Sequence, residues 1–150
     1  MTGNKPSPRF TWPLQISISS KKVNDEYGHP VGDLVLKQLA SRLKAEMKSL
    51  GGVAARIGSE EFAVLLPGEA EDVVQENLDA VRHAIASKDF TISDDLLLPI
   101  TISIGAAGFP RHKETLTELY KAADNELYIA KQSGRNCVRV RNGNAPVPSI

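Results

Sequence analysis

Leu14, Ile16 and Ile18 alternate with Gln15, Ser17 and Ser19, a period of two that predicts a strand with one apolar face. Ser20 to Pro30 carries no periodic apolar set and reads as a loop. Val31, Val35, Leu39, Leu43 and Met47, joined by Leu34 and Leu36, form the stripe of a long helix that stops at the Gly51-Gly52 breaker. Val53-Ala54-Ala55 and Phe62 to Leu66 read as two strands. Between them, Gly58-Ser59 fits the central positions of a type II′ turn, which presents Glu60 at the hairpin tip. Val74, Leu78, Val81 and Ile85 give a second amphipathic helix. Phe90 to Ser93 and Leu96 to Ala106 predict another hairpin, whose longer strand alternates Ile100, Ile102 and Ile104 with Thr101 and Ser103. Thr115-Leu116-Thr117-Glu118 is a capping box for a third helix, with Leu116, Leu119, Ala123, Leu127 and Ala130 inward and Gly134 as its stop. Cys137 to Val140 closes the series as a last strand.

Strand, helix, two strands, helix, two strands, helix, strand is the order of an α+β domain, one mostly antiparallel sheet flanked by helices. Residues 10–141 are expected to form that domain, with polar, proline-bearing ends at 1–9 and 142–150 behaving as flexible segments. A chain of 150 residues buries a core without staples. Lys plus Arg and Asp plus Glu each total 18, so no basic field draws in nucleic acid or an anionic membrane. The lone Cys137 offers neither a disulfide framework nor a zinc ligand set, which fits a reducing cytosol. With no apolar run of membrane-spanning length and no signal-peptide core in Met1 to Arg9, a cytoplasmic location is expected, unless the chain is excised from a larger protein.

The chemistry concentrates in Arg56-Ile57-Gly58-Ser59-Glu60-Glu61-Phe62. Acidic pairs at strand ends hold hard divalent cations, and these hold phosphates, so the pair raises phosphoryl or nucleotidyl transfer. Taken alone, such a pair is more often a solvated hairpin tip.

Four stretches fall in order: Lys21-Lys22-Val23-Asn24-Asp25-Glu26-Tyr27-Gly28-His29-Pro30-Val31-Gly32-Asp33, Arg56 to Phe62, Thr101 to Gly105, and Ala123-Asp124 to Lys131-Gln132-Ser133-Gly134-Arg135-Asn136. Together they resemble the GGDEF domain of diguanylate cyclases, across roughly residues 12–140. That resemblance implies a nucleotidyl cyclase-like fold related to polymerase palms, and the synthesis of cyclic di-GMP from two GTP molecules in bacteria. It implies that Asn24 and Asp33 hydrogen-bond guanine, that His29, Gly58 and Ser59 lie by the nucleotide, and that Lys131 and Arg135 contact the triphosphate. Lys21 takes the position that stabilises the transition state. Glu60, supported by Glu61, becomes both metal ligand and general base for the 3′-hydroxyl, with a main-chain carbonyl, at Ser17, as a further ligand to Mg²⁺ or Mn²⁺. Two protomers face each other in the family reaction, so a homodimer is implied, and a sensory or phosphodiesterase domain is a further expected partner.

Four departures alter those expectations. Counting back from Lys21, the family's Asp-x-Asp-x-Phe-Lys falls on Ile16-Ser17-Ile18-Ser19-Ser20, so the metal-binding carboxylate becomes Ile16; a slip of one residue puts Ser17 and Ser19 there instead. Ser59 replaces the second signature glycine, giving Gly-Ser-Glu-Glu-Phe. Ser49-Leu50-Gly51-Gly52 stands where the product-inhibition Arg-x-x-Asp is expected, and the leading segment of the family before the first strand is missing. The reading is a degenerate GGDEF domain that binds guanine nucleotide or regulates, with weak or no cyclase activity and a weakened metal site. An active diguanylate cyclase and a non-catalytic dimerisation or docking module are the alternatives.

Overall fold

The computed structural model describes residues 10–18, 21–58, 60–68, 71–108 and 115–141. The proposed tails at 1–9 and 142–150, together with Ser19, Ser20 and Ser59, lie outside them. Among the described residues, seven strands and four helices run in the order β1 (Phe10–Ile18), α1 (Lys21–Tyr27), α2 (His29–Ser49), β2 (Val53–Arg56), β3 (Glu61–Gly68), α3 (Glu71–Ser87), β4 (Phe90–Ser93), β5 (Leu96–Leu98), β6 (Ile102–Ala107), α4 (Leu116–Gln132) and β7 (Val138–Arg141). Five strands form one sheet in the order β2-β3-β1-β6-β7, antiparallel except for the parallel β6–β7 pair. Helices α2 and α3 pack on one face and α4 on the other, over β1, β6 and β7. The architecture is the expected α+β arrangement.

The core sits between the sheet and the α2–α3 layer. Leu14, Ile16 and Ile18 of β1 are fully buried there beside Phe62 and Ile104. Val35, Leu39, Leu43 and Met47 of α2 and Val74, Leu78, Val81 and Ile85 of α3 meet them. Leu34, assigned to the α2 stripe, is 43% exposed, because the inward arc is already filled by Val35 and Leu36. Helix α2 ends as its glycines require: Gly51 takes a φ of 79°, its N–H donates to the Lys48 carbonyl, and the Gly52 N–H donates to that of Met47 at 2.7 Å. This pair of bonds is a Schellman stop.

Four local expectations are corrected. Strand β1 does not have a solvated face: Gln15 is 6% and Ser17 2% exposed, because α4 covers their side. Most of the Ser20–Pro30 loop is helix, with α1 followed by α2 from His29 and Gly28 at φ 89° making the corner. The helix is too short to show a stripe and buries a single apolar side chain, Val23. The signature hairpin is not a two-residue type II′ turn: Arg56 pairs with Phe62, the Ile57 N–H donates to the Glu61 carbonyl at 3.0 Å, and Gly58 is not at positive φ. The three-residue connection places Ala54 opposite Val64 on the face under α2, where a small side chain fits against the core. Finally, the Leu96–Ala106 strand breaks after Leu98, at Pro99, so β4 and β5 form their own two-stranded sheet while β6 joins the main one.

Helix α4 opens as its capping box requires, Thr115 Oγ1 accepting from the Glu118 N–H at 3.1 Å. Leu119, Ala123, Leu127 and Ala130 are buried, and the Leu116 side chain lies outside the described residues. Close approach to the sheet depends on Gly105, where a Cβ would stand 2.2 Å from the Leu127 nitrogen and 2.4 Å from the Ala123 carbonyl oxygen.

Candidate functional site

The site is built where β1 ends between the signature hairpin and β6. On the α4 side of the sheet, Ser17 stands directly opposite Glu61 on one neighbour and Ser103 on the other. Cross-strand partners share a face, so these three polar side chains form a row. Lys131 of α4 reaches that row, its Nζ donating to Glu61 Oε1 at 3.3 Å with both side chains partly exposed. Ser17 Oγ is buried and has no hydrogen-bond partner among the described residues. Ile16 and Ile18 point into the opposite, apolar core.

This geometry decides between the two alignments of β1. A side chain on the hairpin's polar face has to come from Ser17; Ile16 shares its face with Phe62. Glu60 is half-buried and tied to the end of β1, its carbonyl accepting from the Ile18 N–H at 3.2 Å, so it is held against the strand and not at a free tip. No acidic residue occurs from Phe10 to Ser20, so β1 brings only hydroxyl and carbonyl oxygens to this place.

The second part of the site is the α1–α2 corner, which opens three residues beyond Ile18. A Cβ on Gly32 would meet Asn24 Oδ1 at 1.8 Å, so the absence of a side chain there lets Asn24 lie against α2, one residue before the exposed Asp33. The corner therefore brings together Asn24 and the segment carrying Asp33. His29 is exposed at the start of α2. Lys21 begins α1, and its side chain lies outside the described residues, as does Ser59. Gly58 is exposed with open space around it. Arg135 is exposed in the turn after α4, at a φ of 64°.

Three features of the site lie within the motifs, but the motifs do not report them. Ser103 looked like a solvent-facing member of an alternating strand, yet it is 2% exposed and accepts the Asn136 N–H at 3.1 Å. The Glu61–Lys131 pair joins residues 70 apart in sequence and had no local signal. Asp124 has its pKa raised, first by burial, then by the nearby Glu61 carboxylate, against a smaller opposing effect of Lys131. Since the folded state holds that proton more tightly than the unfolded chain, stability falls as pH rises above the ordinary value of 3.8. Asp124→Asn is expected to raise Tm at pH 7 and to leave it unchanged below about pH 4, in thermal melts across that range.

A divalent cation held by the protein calls for more than one anionic oxygen in reach. Among the described residues no group of three or more His, Cys, Asp or Glu side chains is placed to hold a cation; Glu61, near Asp124, is engaged by Lys131, and the buried Ser17 hydroxyl brings no charge. The donor set does not fit a protein-held metal pair.

Comparison with known proteins places this arrangement. The family model described as "Diguanylate cyclase, GGDEF domain" matches residues 18–137. The Bacillus subtilis protein YhcK is 42% identical over 118 residues, 79% of this chain and 33% of its own length. Diguanylate cyclase A of Treponema denticola is 33% identical over 126 residues, 84% of this chain and 33% of its own length. The chain thus spans about a third of the length of these relatives. The GGDEF domain of DgcB from Caulobacter crescentus, solved in complex with c-di-GMP, superposes with a TM-score of 0.79 at 32% identity, over 88% of this chain and 78% of that one. Fold, motif order and matched span agree, and the chain belongs to the GGDEF family of cyclic di-GMP signalling.

Proposed function

We propose that this domain is a guanine-nucleotide-binding regulatory module whose cyclase chemistry is impaired. The observation that carries this reading is the end of β1: the side chain facing Glu61 is Ser17, while Ile16 and Ile18 are core residues. Without a carboxylate there, the charge of a triphosphate is countered by Lys131, Arg135 and Lys21 and not by a protein-held cation. Cations so placed bind and orient phosphate oxygens. Lowering the barrier to attack on an α-phosphate needs charge stabilisation that strengthens in the transition state, and this site has lost part of it.

Guanine selectivity rests on the α1–α2 corner. An amide and a carboxylate satisfy the donor and acceptor edges of guanine, and adenine would leave them unpaired. Asn24 can reach such a base only while Gly32 leaves room for it. Titration calorimetry is expected to show micromolar binding of GTP and none of ATP. Gly32→Ala should weaken GTP binding roughly tenfold or more by displacing the Asn24 amide, with Tm unchanged or slightly raised, since alanine suits a helix interior better than glycine. Equal affinity for GTP and ATP, or no heat with either, would overturn the nucleotide role and favour a docking module.

A second reading, an active diguanylate cyclase, is favoured by Glu60, which retains its place beside β1. In that case GTP oxygens and water complete the cation's shell, and two protomers pair to react. Cyclic di-GMP, the molecule bound in the DgcB structure, is then the product.

A further inference from the structure

Three consecutive residues after α4 have left-handed backbone: Gly134 at φ 108°, Arg135 at 64° and Asn136 at 47°. Glycine adopts this readily, arginine seldom, and asparagine only with local support. The end of α4 accounts for the first two. The Gly134 N–H donates to the Lys131 carbonyl at 3.4 Å and the Arg135 N–H to that of Ala130 at 3.0 Å, a second Schellman stop. Nothing in α4 accounts for Asn136.

That residue is gripped from two other elements. Its N–H donates to Ser103 Oγ on β6 at 3.1 Å, and its side-chain Oδ1 accepts from Arg82 Nη1 on α3 at 2.9 Å. Arg82 is aimed in turn by Asp79, one helical turn earlier, whose Oδ1 accepts from Arg82 Nε at 2.8 Å. The Arg82 side chain is 19% exposed and so is packed over most of its length. A guanidinium holds two acceptors in one plane at fixed separation, which an ammonium on a flexible stem does not. Downstream, the Cys137 carbonyl accepts from the Ile104 N–H at 3.0 Å and pins the exit from the turn. Arg135 is thus an exposed cation in the middle of a turn fixed on both sides.

We propose that Arg82 is a positioning residue: bridging Asp79 and Asn136, it locks the Gly134–Asn136 turn in its left-handed form and so presents Arg135 to an anionic ligand. The lock stands on the contacts above; the anion-binding role of Arg135 rests on the proposed function. Arg82 lies in α3, outside every motif by which the site is recognised in sequence.

Two readouts on the same proteins separate these parts. The first is NMR of the free chain, comparing the ¹⁵N heteronuclear NOE and ¹³Cα shifts of Arg135 and Asn136 in wild type, Arg82→Ala, Arg82→Lys and Asn136→Ala. The lock requires that all three variants lower the NOE and move the shifts away from left-handed values, while β6 and the body of α4 keep theirs. Unchanged turn signals overturn it whatever binds. Asn136→Ala cuts the bridge at an exposed side chain, so the comparison survives if Arg82→Ala folds poorly.

The second readout is GTP calorimetry on wild type, Arg82→Ala, Arg135→Ala and the double variant. Arg82→Ala should weaken binding about fivefold, and the double variant should bind no more weakly than Arg135→Ala alone, since both remove one interaction. If Arg135→Ala weakens GTP binding and Arg82→Ala does not, the presenting role is overturned. If wild type binds no GTP, that role falls with the proposed function, and the NMR result still decides the lock.

Discussion

Ile16→Asp should unfold the protein, whereas Ser17→Asp should fold and acquire a cation site. The two residues are neighbours on β1, but Ile16 is fully buried against Phe62 and the α2–α3 layer. A carboxylate there has no partner, and burying it costs more than about 4 kcal/mol, a large part of the stability of a domain this size. At Ser17 the new carboxylate would face Glu61, near the Lys131 ammonium. Without metal, like charges directly opposite on adjacent strands destabilise, so Tm should fall. Adding Mg²⁺ or Mn²⁺ at tenfold excess over its dissociation constant should restore about 1.4 kcal/mol, read as an upward Tm shift absent from wild type. A metal-dependent shift of the same size in wild type would show that Glu60 and its surroundings already hold the ion. A folded Ile16→Asp protein would show that the assignment of the two β1 faces is wrong.

Gly105→Ala is expected to cause the largest loss of stability from a single methyl group. The added Cβ would collide with backbone atoms of α4, the Leu127 nitrogen and the Ala123 carbonyl, neither of which can rotate away. Helix α4 must then lift from β6, opening contacts with Leu119, Ala123 and Leu127 on a face where it is the covering helix. A cost of about 3 kcal/mol is typical of an overpacked core, and in a domain of this length it lowers Tm by roughly 10 °C. Because Lys131 rides on the same helix, the Glu61–Lys131 pair should loosen as well. Differential scanning calorimetry gives the first effect. An unchanged Tm would mean that α4 packs further from the sheet than described.

Elements with a long apolar period were legible without coordinates. The stripe from Val35 to Met47, the stripe from Val74 to Ile85 and the Thr115 cap all stand where their spacing puts them. The misreadings of the β1 face and of the signature hairpin share one cause, which is that local pattern does not report what a distant element covers. Gln15 and Ser17 have the polarity of a solvated face, and only the packing of α4, formed a hundred residues later, buries them. The hairpin register was misjudged because Gly-Ser satisfies a two-residue turn locally, while the fit of Ala54 under α2 requires one residue more. For the site, four ordered motifs located the hairpin and the α1–α2 corner. The contacts that tie the hairpin to α4 and fix the turn after α4, Lys131 with Glu61 and Arg82 with Asn136, join residues more than fifty positions apart. The choice between Ile16 and Ser17 at the critical position needed the faces of β1, which an alignment does not contain.

The central claim is that β1 withholds the charge that triphosphate chemistry needs. It is tested most directly by incubating the chain with GTP and Mg²⁺ or Mn²⁺ and following cyclic di-GMP and pyrophosphate, with Glu60→Ala as control. The account predicts product at or near background in both proteins, alongside retained GTP binding. Sustained turnover in wild type that disappears in Glu60→Ala would contradict it.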